Sequence, residues 1–153
     1  MKKSANGNMY EIALDEAWEL FSAQLDGARS ALVCVVSTHS LDERSRTALN
    51  KSAEALGYGK EGCTFATVED LDGPALFLML EGLDPLCLVA TDQAAVAALQ
   101  SAYRRDIPLN EAGRVLGRTV VTFTSFSKML DDGQDKQIAW ALLKRLPRLG
   151  ATS

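Results

Sequence analysis

The chain has 153 residues, 47% of them apolar and 24% charged, with a formal net charge of −4. That is one soluble globular domain, long enough to bury about two-thirds of its unfolded surface. The acidic balance argues against a broad electrostatic grip on nucleic acid, which needs a basic face, and no apolar run approaches the ~20 residues that cross a bilayer.

Flexible ends are expected at residues 1–8 and 149–153, polar or short stretches without periodicity. Met9 to Leu25 has apolar residues at helical spacing (Ile12, Ala13, Trp18, Leu20, Phe21, Leu25) between acidic ones, which predicts an amphipathic helix closed by Gly27. Packing on a sheet is its expected role, docking on a partner the alternative. Ala31 to Val36 is a continuous, valine-rich run, as a strand covered on both faces requires. Ser37-Thr38-His39-Ser40 follows, and Ser40-Leu41-Asp42-Glu43 has the form of a capping box opening the next helix. That helix is expected to stop at Gly57-Tyr58-Gly59.

Cys63 to Val68 predicts a second strand and Ala75 to Glu81 a short, very apolar helix, with Pro74 near its start. Leu86 to Thr91 predicts a third strand. Asp92 is a plausible N-cap for a helix over Gln93 to Arg105. Ile107 to Arg118 reads as a loop and Thr119 to Phe123 as a fourth strand. A helical turn over Ser125 to Leu130 and a last helix over Gln134 to Leu146 complete the chain. Strands alternating with helices predict a single α/β domain over residues 1–153. The expected architecture is a three-layer α/β/α sandwich around a mostly parallel four-stranded sheet.

His39 is the only histidine, and it lies past the carboxyl end of the first buried strand, where open α/β sheets bind ligands. Histidine also titrates near neutral pH, which makes His39 the candidate catalytic residue; a purely structural loop role is the alternative. No nucleophile elbow, phosphate loop or multi-histidine metal set accompanies it. Gly82-Leu83-Asp84-Pro85 precedes a strand and reads as a turn. The odd set Cys34, Cys63 and Cys87 lies in apolar runs without C-x-x-C spacing, which argues against disulfides, zinc and iron–sulfur clusters and predicts a reducing cytoplasm. No metal or cofactor is expected. Arg104, Arg105, Arg114 and Arg118 form one basic cluster, either a solvated surface or a phosphate or partner contact. Lys144, Arg145 and Arg148 form another, read as compensation of a helix C-terminus.

The segment from Thr122 to Trp140 resembles the closing motif of bacterial and archaeal uracil-DNA glycosylases. In that family a strand ends in T-Y-H-P, a short turn follows, and a helix begins K-x-x-x-W. Thr122 and Phe123 match the strand end, Met129 and Leu130 the turn, and Lys136 and Trp140 the helix. The order of elements from Ala31 onward is also similar to that fold. It is equally similar to the psi subunits of the bacterial DNA polymerase III clamp loader, which share the fold and serve as bridging partners.

The departures are chemical. Thr124 and Ser125 stand where the family has its base-contacting histidine and its proline, and Ser37-Thr38-His39-Ser40 stands where a Gly-rich, water-positioning loop belongs. Losing an oxyanion donor typically costs ~3–4 kcal/mol of transition-state stabilisation. The resemblance therefore implies a degenerate member that has lost glycosylase chemistry. It would be a binding or interaction module linked to DNA replication or repair, with a protein partner and at most weak nucleic-acid binding. Ser37, Thr38, His39, Thr124 and Ser125 would line the old ligand pocket. The alternative is an active nucleobase or nucleoside enzyme in which His39 replaces the missing histidine, and a third reading is an unrelated small-ligand binding domain.

Overall fold

The computed structural model describes residues 8–149. In chain order the elements are α1 (Asn8–Leu20), β1 (Leu25–Gly27), β2 (Val33–Ser37), α2 (Glu43–Ala55), β3 (Cys63–Thr67) and α3 (Gly73–Leu83). These are followed by β4 (Cys87–Ala90), α4 (Gln93–Tyr103), β5 (Ala112–Val115), β6 (Arg118–Thr122), α5 (Phe126–Met129) and α6 (Gly133–Leu143).

The strands form one mixed sheet in the order β1-β3-β2-β4-β6-β5. The inner four are parallel, and β1 and β5 pair antiparallel with β3 and β6 at the two edges. The expected four-stranded sheet is thus the parallel interior of a six-stranded one. Two readings of the sequence are corrected here. The first helix ends at Leu20, and Leu25 opens β1 opposite Ala66. The stretch expected as a loop over Ile107 to Arg118 contains β5, with Ala112 opposite Val121. In both cases the strand is too short to show a period of its own and exists because a neighbouring strand offers it a ladder.

Every residue of β2 and β4 is buried, which explains why these strands, up to Ser37 at the end of β2, are written in valine, leucine, alanine and cysteine without alternation. Alternate side chains feed two separate cores. Cys34, Val36, Leu88, Ala90 and Val120 pack with apolar residues of α3 and α4 and the segment after α1 on one face. Val33, Val35, Cys87, Val89 and Val121 pack with α2, α5 and α6 on the other.

Four aspartates start the main helices. Asp42, Asp72, Asp92 and Asp132 accept from the backbone N–H three residues on, at 2.9, 2.9, 2.8 and 3.0 Å, each satisfying one otherwise orphaned donor. The cap of α2 is therefore Asp42, and the capping box built on Ser40 does not form, because the helix begins two residues later than that box requires, at Glu43. Of the ends expected to be flexible, residues 1–7 and 150–153 lie outside the described residues. Asn8 opens α1, and Leu149 donates its N–H to the Leu56 carbonyl at 2.8 Å.

Candidate functional site

The sheet's connections reverse direction between β2 and β4, since the chain leaves β2 toward β3 on one side and reaches β6 from β4 on the other. The carboxyl ends at such a reversal are where open α/β sheets hold ligands. Here the loops Ser37–His39, Thr91–Asp92 and Phe123–Ser125 meet, so the topology brings together most of the residues the sequence singled out.

Asp92 closes the gap between them. While capping α4, its carboxylate accepts from the Thr38 N–H at 3.0 Å and from the Thr38 hydroxyl at 2.5 Å. Asp92 also pairs with Ser125 as an isolated antiparallel bridge. Around it Gln93 N–H donates to the Thr124 carbonyl at 3.1 Å and Phe126 N–H to the Thr91 carbonyl at 2.9 Å. The Ser37 hydroxyl donates to the His39 carbonyl of its own loop at 2.7 Å. The Ser37 hydroxyl and the Thr38 N–H and hydroxyl are thus committed within the seam, whereas the Ser125 hydroxyl does not cap α5.

His39 projects away from this seam. Its side chain is 68% exposed, and its Nδ1 lies 2.9 Å from a carboxylate oxygen of Glu69, itself 58% exposed. Thr124 is bracketed by Asn110, whose Oδ1 accepts from the Thr124 N–H at 2.9 Å and whose Nδ2 donates to its hydroxyl at 2.8 Å. Thr124 and Ser125 border a crevice of about 500 Å³ that runs toward Asp135 and Ile138 and does not include His39. Ser37 borders a different recess of about 220 Å³ with Ser40, Arg46 and Thr67. In that recess Arg46 is held by Asp26 at 3.0 Å and stacks on the Phe65 ring, 4.2 Å from its centroid. His39 and Thr124 therefore share an edge of the sheet without sharing a pocket.

The first arginine cluster divides in the same way. The chain turns left-handed at Arg104, with φ 56°, to close α4 at the opposite, amino edge of the sheet. Arg104, Arg105 and Arg114 are exposed, and Arg114 donates to the Gly117 carbonyl. Arg118 is buried, and its guanidinium is wholly engaged. It meets Glu81 at 2.7 Å, Asp84 at 2.8 Å and the Pro85 carbonyl at 2.7 Å. Arg118 thus ties the turn before β4 to β6, and it offers nothing to an external phosphate. Asp84 of the Gly82–Pro85 segment takes a left-handed conformation at that turn, φ 50°.

The three cysteines are free and buried. Burial pushes the thiols of Cys34 and Cys63 up to about 12 and that of Cys87 to about 11, which leaves them protonated and poor nucleophiles at neutral pH. Among the described residues no three His, Cys, Asp or Glu side chains converge as a metal site requires. No helix among them is long and apolar enough to cross a membrane.

One concavity was not anticipated from the sequence. Between α2 and α6 lies a groove of about 480 Å³ whose floor is Phe126, Leu130, Ala139 and Leu143. Arg44, Lys51 and Lys136 stand along it, and no carboxylate lines it. The sequence signal is faint: the small residues Ala48 and Ser52 of α2 and Ala139 of α6 line it among larger apolar and basic ones. No family model matches the chain, and no curated protein matches it.

Proposed function

We propose that this chain is a non-catalytic binding or interaction module of uracil-DNA glycosylase-like descent, serving DNA replication or repair in the cytoplasm through a protein partner. One observation carries the reading: Asp92 stitches the Thr38 loop to the Ser125 loop, over the place where such a sheet would receive a base. An active site needs unpaired donors aimed at the reacting atoms, and here the Ser37 hydroxyl and the Thr38 N–H and hydroxyl are committed internally. Thr124, in the position of the family histidine, is fixed by Asn110. The buried, unpaired thiols fit a reducing compartment, and the net charge of −4 leaves nucleic acid a weak partner at most.

The second reading, an enzyme working through His39, draws on the His39–Glu69 pair, since a carboxylate that orients an imidazole is a common catalytic arrangement. Uracil release from single- and double-stranded DNA separates the two. No release is expected from the full chain. Release that disappears in His39→Ala would establish the enzyme and remove the module reading.

A further inference from the structure

We propose that the groove between α2 and α6 is the docking surface of the interaction module, and that its occupant is an acidic amphipathic helix of a partner protein. This rests on the module reading above and adds to it a surface and a partner chemistry.

The two faces of the sheet are covered unequally. Six strands spaced ~4.8 Å apart need about three helices, which pack 8–10 Å apart, to cover one face. On one face α3 packs side by side with both α1 and α4. On the other, α2 and α6 do not pack together in this way, and the four-residue α5 is all that lies between them. The result is a trough of about 480 Å³ lined by apolar side chains, of which Ala48 and Trp140 are the partly exposed ones.

The charge of the trough selects the occupant. In a chain of net charge −4, its border carries Arg44, Lys51 and Lys136 and no carboxylate. Arg44 is paired with Asp131 at 2.8 Å, but among the described residues Lys51 and Lys136 have no acidic partner. Lys144 extends the border, with its Nζ 5.7 Å from the centre of the Trp140 ring. An apolar floor between cations matches a helix with a leucine-type stripe flanked by aspartate or glutamate, the usual helix-in-groove mode. Electrostatic complementarity of this kind would set both orientation and on-rate.

A single nucleic-acid strand fits less well. It needs ring faces open for stacking, whereas Phe126 is 1% exposed and Trp140 carries Lys144 over its ring. The rest of the floor is aliphatic or alanine.

The test uses a random peptide library displayed on phage, with inserts of about 16 residues, or ~24 Å of helix. It is selected on the full chain and counter-selected on Lys51→Glu/Lys136→Glu. Both lysines are exposed, so that variant is expected to keep the parent's circular dichroism and urea midpoint. Lys51→Gln/Lys136→Gln serves as a second, neutral variant. Enriched peptides should carry apolar residues at helical spacing with flanking acids. They should bind the charge-reversed variant at least about tenfold more weakly and the neutral variant in between.

Enriched peptides without acids, or equal binding to all three proteins, would overturn the proposal. So would displacement of the peptides by an oligothymidylate, which would make the occupant nucleic acid. Self-association of the chain that the charge reversal abolishes would make the occupant a second copy, with the same effect. If a purified native complex survives the charge reversal intact, the groove proposal fails and the module reading stands; His39-dependent uracil release removes both.

Discussion

Asp92 decides how the carboxyl edge of the sheet behaves. It accepts three hydrogen bonds, one as the cap of α4 and two from Thr38 across the strand reversal. Replacing it with alanine removes the cap and leaves the Thr38 N–H and hydroxyl without partners, a loss of about 2–3 kcal/mol. His39→Ala should change stability by less than about 0.5 kcal/mol, because a contact between two exposed side chains contributes little. Urea unfolding of the two variants checks this contrast; equal midpoints would show that the Asp92 seam is not a structural closure. The cap itself was readable, since aspartate before a run of alanines is a standard helix start. Its second duty was not readable, because Thr38 is 54 residues away and nothing local in either segment points to the other. The same separation hid the burial of Arg118, which a linear view groups with Arg104, Arg105 and Arg114.

At the level of elements, the C-terminal segment beyond α6 is clasped to the end of α2. Leu149 N–H donates to the Leu56 carbonyl, and the Tyr58 hydroxyl donates to the Pro147 carbonyl. Gly57 makes the approach possible: its φ is +97°, and a Cβ placed there would fall 1.9 Å from the Leu149 carbonyl oxygen. Gly57→Ala is therefore expected to release the segment, at a cost of about 1–3 kcal/mol for strain and lost contacts. Limited trypsin digestion should then cut after Arg145 or Arg148 well before the rest of the domain; an unchanged digestion pattern would refute the clasp. The glycine stop after α2 was legible in the sequence, whereas what it makes room for was not. The parallel strands were legible for a different reason. Burial on both faces forces Val33 to Val36 and Leu88 to Ala90 into unbroken apolar runs, a signal that needs no partner. The antiparallel edge strands carry no such constraint. Leu25-Asp26-Gly27 buries only its leucine, and Ala112–Val115 only its valine, so a helix end or a loop accounts for either sequence equally well.

For the whole molecule, the three buried thiols set the alkaline limit of stability. The ordinary value for the thiol is 9.0, and in the fold burial raises Cys34 and Cys63 to about 12 and Cys87 to about 11, with the neighbouring thiols adding like-charge repulsion at Cys34 and Cys63. Above pH 9 the unfolded chain therefore sheds protons that the folded chain keeps. Fewer protons bound in the unfolded state make the slope of unfolding free energy against pH negative, so this contribution is complete below pH 9. It declines from there until the folded thiols titrate, between about 11 and 12. Each thiol accounts for ~1.4 kcal/mol per pH unit once the separation is full, or about 2 kcal/mol by pH 10.5. Tyr103, raised by burial and by its hydrogen bond to Glu81, and Tyr58, raised by burial, add a further decline above their ordinary value of 10.0. Urea unfolding between pH 8 and 10.5, with a phosphine reductant present so that unfolded thiolates do not oxidise, should show the midpoint falling from pH 9. In a Cys34→Ala/Cys63→Ala/Cys87→Ala variant the absolute stability will be lower because of the small cavities left behind. Its midpoint should stay level between pH 9 and 10 and bend down above that, with the tyrosines. A wild-type midpoint that is flat across the same interval would mean that the thiols are not held protonated by the two cores, and that the sheet is wetter between its helix layers than its packing implies.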